Sequence, residues 1–338
     1  MEEEITLEEY VENYNSQVYN TFPKLFRYME YINDSAYNIC WLGEQLFKEE
    51  TTFDGYENNI GVSELINQAI NILGMFSKDY KKLLEEIIKN GVINFYDATD
   101  ETFSYTTFKN NYADVSIDRN YNVEDLLKII HEFFHYVHID NFNRTPGEED
   151  CYIYTEFFAL TAEMYAMFYM YKNNIYKNDI IIYLKKYIMI LYSYANKTFI
   201  QGSVMHIYDI CNDFSDEAIN EYIKLTNTSE EIKNVLYLLD DIDDFDYHIL
   251  APYIIGVLPA FLLAKNMIDD KYSVERFKTC VENAKNYTEI DELFKLLNIE
   301  NILQSTDEIS NVIDDVYDIV KDFFEEKNIN YQKKLGDL

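Results

Sequence analysis

The segment 129–138, which reads IIHEFFHYVH, constrains this chain more than any other feature. Its apolar residues recur at helical spacing, and Asn122 upstream is a candidate N-cap, so the segment is predicted to be helical. Residues four apart share a helix face, which lets His131 and His135 bind one Zn²⁺. Glu132, rotated by about 100° around the helix, can then reach a metal-bound water. The segment therefore predicts a helix that carries a zinc site.

The arrangement His-Glu-x-x-His has the chemistry that peptide hydrolysis needs. Zinc lowers the pKa of a bound water to about 7 and polarises a carbonyl group, while a glutamate carries the proton to the leaving amine. We therefore predict His131 and His135 as zinc ligands and Glu132 as the general base. The alternative is that the two histidines only pack within the helix.

A third ligand is expected from the next predicted helix, because a catalytic zinc has three protein ligands and one open position. The segment Tyr154–Lys172 carries Glu156 and Glu163 in an otherwise apolar run, where acids need a partner. We favour Glu156 as the third ligand and Glu163 as the acid that orients a histidine. A swap of these roles, or a purely structural role, stays open. His138 lies too far along its helix for direct ligation and is predicted to be core or a supporting residue.

The chain as a whole is predicted to be mainly α-helical. Hydrophobic residues make up 48% and aromatic residues 16%, enough for a sizeable core. A stripe of apolar residues from Ile309 to Phe324 predicts a last helix. Apolar residues recur at three- and four-residue spacing in six further segments. These are Thr6–Tyr31, Val62–Lys89, Val123–Asp140, Tyr154–Lys172, Asp179–Tyr194 and Ser273–Leu297.

Two short β-prone runs, Val92–Tyr96 and Ala113–Ile117, precede the metal-binding segment. Glycine and proline number only 9 and 4, and no flexible linker divides the chain. We therefore predict one unit, with residues 1–90 as its N-terminal helical part and residues 91–338 as the catalytic metallopeptidase domain.

The charge of the chain argues against some partners. With 28 Lys and Arg against 61 Asp and Glu, the net charge is −33, which repels phosphate backbones and anionic lipids. We therefore expect neither nucleic acid nor membrane partners. The apolar stretches Asp179–Ala195 and Ile249–Ala264 are predicted as core helices, because lysines interrupt the first and the second is short and contains two prolines.

The start of the chain, MEEEITLEEY, lacks the basic residues and apolar run of a signal peptide, so a cytoplasmic location is expected. The four cysteines form no CxxC pair and are expected to be reduced. The sequence indicates no oligomeric state.

HEFFHYVH followed by TEFFALTAE resembles the HExGHxxH and later ExxSxxNE motifs of the thimet oligopeptidase and oligoendopeptidase F family. The resemblance extends over roughly residues 90–300, with Val92–Asn120 similar to the family's active-site edge strand region. It implies a mainly α, helical gluzincin-type metallopeptidase with a small β edge region before the active-site helix. It also implies a substrate channel between helical lobes that admits short peptides.

The resemblance assigns His131, His135 and Glu156 as the zinc ligands and Glu132 as the base. It also places Tyr253 near a family tyrosine that hydrogen-bonds the tetrahedral intermediate.

Three departures from the family pattern are visible. Phe134 replaces the glycine usual between the two metal-binding histidines. Residues 101–111 read ETFSYTTFKNN, without the usual glycines. The family's histidine ahead of the tyrosine is missing at Asp243–Phe245, and His248 nearby is the candidate to replace it. His206 has no motif around it and is expected to be structural or at the surface.

These observations together predict a zinc metalloendopeptidase of the oligopeptidase type, with one Zn²⁺ per chain and short peptides as substrates. Two alternatives stay open. One is a zinc-fold protein that binds a peptide or protein without cleaving it, and the other is a zinc protease specific for one protein.

Overall fold

The fold is mainly α-helical with a small sheet, as predicted. The computed structural model describes residues 7–47, 55–99, 104–109, 112–142, 149–226, 245–284, 289–303, 307, 309–318 and 321. The helices in these residues are α1 (Leu7–Thr21), α2 (Pro23–Arg27), α3 (Met29–Phe47), α4 (Val62–Phe76), α5 (Lys78–Lys89), α6 (Val123–Phe142), α7 (Glu149–Lys172), α8 (Lys177–Cys211), α9 (Asp216–Thr226), α10 (Tyr247–Asp269), α11 (Lys271–Glu282) and α12 (Ile290–Leu297). The strands are β1 (Ile93–Asp97), β2 (Tyr105–Lys109) and β3 (Tyr112–Arg119), and a 3₁₀ helix spans Glu300–Leu303.

The helix predicted over Val62–Lys89 is divided at Ser77. The backbone of Ser77 is extended, with φ −163° and ψ 141°, and the Ser77 hydroxyl accepts a hydrogen bond from the Asp79 N–H at 3.0 Å. A serine that caps a new helix in this way ends the α4 pattern and starts α5. Apolar periodicity continues across the cap, which is why periodicity alone did not show the break.

The predicted last helix is confirmed only in part. Residues 309–318 are helical, and Ile309, Val312, Ile313 and Val316 are buried. The remaining positions of the predicted apolar stripe, 319, 320, 323 and 324, lie outside the described residues.

The sheet has the order β1-β3-β2, with β1 parallel and β2 antiparallel to β3. The two predicted strands correspond to β1 and β3, whereas β2 was not predicted. Val115 in the central strand pairs with Ile93 on one side and Thr106 on the other. Val115 and Ile117 are fully buried, and β3 packs against α6. The sheet therefore lies directly against the helix that carries the histidines.

The chain divides into two compact units that do not follow the sequence order. One comprises Met1–Gln45 and Ile190–Ile255, and the other comprises Leu46–Met189 and Gly256–Leu338. The boundary predicted at residue 90 falls inside the second unit.

The unit of Leu46–Met189 and Gly256–Leu338 has a core built around α6, which packs on α7, α4 and the sheet. Phe134 of α6 is fully buried, and its ring centroid lies 5.3 Å from Phe76, 5.5 Å from Tyr80 and 5.6 Å from Phe277. Such separations suit edge-to-face and tilted aromatic contacts. The residue that replaces the family's glycine therefore anchors α6 in an aromatic cluster with α4, α5 and α11.

In the unit of Met1–Gln45 and Ile190–Ile255, helices α3 and α8 pack antiparallel at close range. A Cβ added to Gly43 would lie 2.5 Å from the Tyr192 ring, and one added to Gly202 would lie 2.1 Å from Asn33 Oδ1. The two contacts are ten residues apart on each helix. The earlier residue of α3 meets the later residue of α8, so the two helices are antiparallel. Side chains larger than hydrogen at these two positions would separate the helices.

Helix α10 is long and apolar enough, by length and composition, to cross a membrane. However, 78% of its most apolar window is buried inside the protein. That burial is typical of a core helix, as the sequence predicted for Ile249–Ala264.

We predict that Gly43→Ala destabilises the protein by about 1–3 kcal/mol, because the new methyl group overlaps Tyr192 Cδ2, Cγ and Cβ and no rotamer change moves Cβ. The control is Gly74→Ala in α4, where an added Cβ would lie 3.6 Å from Lys81 Cδ, an ordinary contact. Gly74→Ala should be more stable than the wild type by about 0.5–1 kcal/mol, because alanine has the higher helix propensity. Urea unfolding followed by circular dichroism measures both. Equal stability of Gly43→Ala and the wild type would contradict the close packing.

Candidate metal centre

The start of α6 is fixed by polar side chains. Asn122 Oδ1 accepts a hydrogen bond from the Glu124 N–H at 2.8 Å, which confirms the predicted N-cap. The fully buried Asp125 carboxylate accepts from the backbone N–H groups of Asn120 at 2.8 Å and Tyr121 at 2.9 Å. These bonds hold the incoming loop against the first turn of the helix. They fix the helix two turns before the histidine pair.

The three predicted metal ligands come together between α6 and α7. His131 Nε2 and His135 Nε2 lie 3.0 Å apart. Glu156 Oε2 lies 3.6 Å from His131 Nε2, and Glu156 Oε1 lies 3.6 Å from His135 Nε2. One donor atom from each residue lies within 4.8 Å of the others, so the group can hold a metal ion.

The spacing and chemistry of these donors fit zinc. Zn–N bonds of about 2.0–2.1 Å and Zn–O bonds of about 2.0–2.2 Å in tetrahedral geometry place ligand atoms roughly 3.3–3.5 Å apart. The observed separations of 3.0 and 3.6 Å lie on either side of that range. Two imidazole nitrogens and one carboxylate are a ligand set of catalytic zinc sites with an open fourth position.

The electrostatics of the cluster favour a cation. Burial lowers the pKa of His131, but the hydrogen bond and charge of Glu163 and the charges of Glu156 and Glu132 outweigh it and raise this pKa to about 9. Burial and the neighbouring His131 hold the pKa of His135 well below its usual range. A site that stabilises positive charge beside one imidazole and keeps the other neutral is suited to a metal cation.

Glu163 contacts the far side of the first histidine. Its Oε2 lies 2.8 Å from His131 Nδ1, and its Oε1 accepts a hydrogen bond from the Tyr183 hydroxyl. This contact occupies Nδ1 and leaves Nε2 directed at Glu156 and His135. Sequence reasoning missed Tyr183, because no local spacing links a tyrosine in α8 to a glutamate in α7.

Glu132 lies on the side of α6 that faces the sheet, and it is buried. Thr106 of β2 places its Oγ1 2.7 Å from Glu132 Oε2 and 3.0 Å from the Glu132 backbone carbonyl oxygen. Burial raises the pKa of Glu132, although the charge of His131 and the hydrogen bond from Thr106 oppose the shift. Thr106 was not predicted, since the strand that carries it was not.

His138 is fully buried and makes an edge contact with Phe158, at 5.6 Å between ring centroids. Burial lowers its pKa to about 3, so it is neutral in the folded protein. It is not part of the His131, His135 and Glu156 group.

The two further residues predicted for catalysis belong to the unit of Met1–Gln45 and Ile190–Ile255. His248 Nδ1 lies 2.8 Å from the Tyr14 hydroxyl, and its ring stacks on Phe22. Tyr253 packs its ring against Tyr194, at 5.7 Å between centroids. Their catalytic roles stay predictions. Residues 243 and 244, where the family's histidine was sought, lie outside the described residues.

His206, expected to be structural or at the surface, has a partner within the same unit. Its Nδ1 lies 3.0 Å from the Tyr222 hydroxyl, and the two rings meet edge to face. Burial lowers the pKa of His206. These contacts tie α8 to α9.

Neither a protein-family model nor a curated protein matches the sequence significantly. Solved structures do match the fold. A Bacillus anthracis crystal structure assigned as an oligoendopeptidase F is 13% identical with a TM-score of 0.56, and the match covers 93% of this chain and 56% of that one. A 3.1 Å X-ray structure with the same assignment is 11% identical with a TM-score of 0.59, covering 86% of this chain and 57% of that one.

A structure of PZ peptidase A with an inhibitor is 12% identical with a TM-score of 0.53, and the match covers 93% of this chain and 58% of that one. This chain therefore spans a little over half the length of the structures it matches. Together with the helical architecture and small sheet, these matches confirm the resemblance at the level of the fold: the chain has the fold of oligoendopeptidase F and related peptidases.

Proposed function

We propose that this protein is a zinc metallopeptidase that hydrolyses internal bonds of short peptides. The observation that carries the proposal is the convergence of His131 Nε2, His135 Nε2 and the Glu156 carboxylate within 4.8 Å of one another. Glu132, next to a ligand in sequence, supplies a base. Support also comes from the fold, which the chain shares with structures assigned as oligoendopeptidase F.

His131, His135 and Glu156 would hold the zinc, which when bound would activate a water and polarise the scissile carbonyl. Glu163 holds the Nδ1 side of His131, so that Nε2 faces the ligand group. Glu132 accepts the proton from the attacking water and passes it to the leaving amine. Its raised pKa suits a group that both takes and returns a proton.

We infer that the peptide substrate runs in extended form along β2. Among the described residues, this strand pairs on one side only, with β3. An extended peptide can add to such an edge through backbone hydrogen bonds. Thr106 of the same strand contacts Glu132, so a peptide on this edge would lie beside the general base.

The first prediction concerns the metal and the base. Purified protein should bind one Zn²⁺ per chain and cleave members of a quenched-fluorescent peptide library, and a chelator should abolish cleavage. Glu132→Gln should keep the zinc, because it removes no ligand, but should lose at least about 100-fold in kcat, because the base is gone. Metal analysis and initial rates measure both effects.

The control for this experiment is Glu85→Gln, a change at an exposed position of α5. It should alter neither zinc content nor activity. Bound zinc without cleavage by the wild type would favour a binding protein over a peptidase. Absence of bound zinc would contradict the ligand assignment itself.

A second prediction concerns the support of His131. Glu163→Gln should weaken zinc binding by about 10–100-fold, because the amide replaces a charged acceptor at the imidazole Nδ1. Competition with a chromophoric chelator measures the zinc affinity. Glu85→Gln serves again as the matched variant. An unchanged affinity in Glu163→Gln would show that Glu163 does not support the metal through His131.

A further inference from the structure

The side chain of Thr106 reaches from the sheet to the residue assigned as the general base. Its hydroxyl oxygen lies 2.7 Å from Glu132 Oε2 and 3.0 Å from the Glu132 carbonyl oxygen. A hydroxyl group donates one proton, and a carboxylate is the stronger acceptor. The bond to Oε2 is also the shorter of the two. The hydroxyl therefore donates to the carboxylate.

Close to the contact between Thr106 and Glu132, hydrogen bonds hold α6 and the sheet in fixed positions relative to each other. One turn before Glu132 on the same face of α6, Lys128 donates to Asp118 Oδ1 at 2.8 Å and to the Asp118 carbonyl oxygen at 3.2 Å. The Ser104 hydroxyl, two residues before Thr106, also donates to Asp118. These bonds attach α6 and the start of β2 to β3. The backbone that presents the Thr106 hydroxyl is therefore linked to β3 through Ser104, and β3 is linked to α6 through Lys128.

We propose that Thr106 is a positioning residue for Glu132, holding its carboxylate in one orientation by a hydrogen bond to Oε2. A glutamate side chain has three rotatable bonds, and holding it in one arrangement carries an entropic cost that a charge-assisted hydrogen bond offsets. With Oε2 occupied by Thr106, Oε1 is the oxygen that receives the proton of the attacking water. The inference rests on the proposed peptidase function, in which Glu132 acts as the base.

Thr279 of α11 provides a control of the same residue type away from the site and from the strand on which the substrate is placed. Its side chain is exposed, and its hydroxyl donates to the Glu275 carbonyl oxygen of the same helix at 2.8 Å. A valine at either position keeps the branched shape of threonine and removes only the hydroxyl.

The kinetic test compares Thr106→Val, Thr106→Ser and Thr279→Val as zinc-loaded proteins. Thr106→Val should lower kcat roughly tenfold, because the base stays present but loses its orientation, and a positioned base is worth about 10²–10⁴-fold. KM and zinc content should change less than about twofold. Thr106→Ser keeps the donor and should recover most of kcat, while Thr279→Val should match the wild type. Unchanged kcat in Thr106→Val, or no recovery in Thr106→Ser, would overturn the proposal.

A structural measurement decides the inference independently of activity. In crystal structures of the zinc-loaded proteins, the Glu132 carboxylate should lie within hydrogen-bond distance of Thr106 in the wild type and take another rotamer in Thr106→Val. The same carboxylate position in both would overturn the positioning role. If the wild type cleaves no peptide, the proposed function fails, and the crystal structures still show whether Thr106 holds Glu132.

Discussion

The packing of α6 against α7 buries ionisable groups that need one another. His135, Glu132, Glu156 and Glu163 are all buried, and His131 lies among them. Burying isolated charges is costly, so such groups persist only when they are paired with each other or with a metal ion. The two imidazole nitrogens 3.0 Å apart, faced by a carboxylate, have the arrangement that a shared cation stabilises. The other features of the site serve to hold this arrangement.

That support comes from three directions within one unit. Tyr183 of α8 holds Glu163, which in turn holds His131. Thr106 reaches Glu132 from the sheet. On the side of α6 roughly opposite Glu132, Phe134 anchors the helix in its aromatic cluster. A helix held by hydrogen bonds on one face and by close packing on the other keeps its side chains within the small tolerances that catalysis requires.

The position of the third ligand depends on a close approach of backbones. A Cβ added to Gly256 of α10 would lie 3.1 Å from Phe157 Cα, one residue after Glu156. The glycine therefore lets α10 lie against the backbone of α7 where the ligand projects. In α6 the position between the two histidines is instead a phenylalanine, and its ring fills the space between α4 and α11. Close packing in this core thus comes from a small residue on one helix and a large residue on another.

The sequence by itself determined those features of the protein that depend on residues close together along the chain. The i, i+4 spacing of His131 and His135 placed both on one face of a helix, and the Asn122 cap and apolar periodicity marked where that helix lies. Glu156 and Glu163 stood out as acids in an apolar run, and the sequence favoured Glu156 as the ligand but left a swap of the two roles open. The tertiary structure gives the two acids different positions, because Glu156 faces both Nε2 atoms and Glu163 faces the Nδ1 of one histidine.

The tertiary structure alone revealed β2, the contact of Thr106 with Glu132 and the contact of Tyr183 with Glu163. It also divided the chain into units that are discontinuous in sequence. These features depend on pairs of residues that are distant along the chain and have no local period. Helical periodicity is a property of neighbouring residues and can be read from the sequence, whereas the orientation of a buried carboxylate depends on which other elements pack around it.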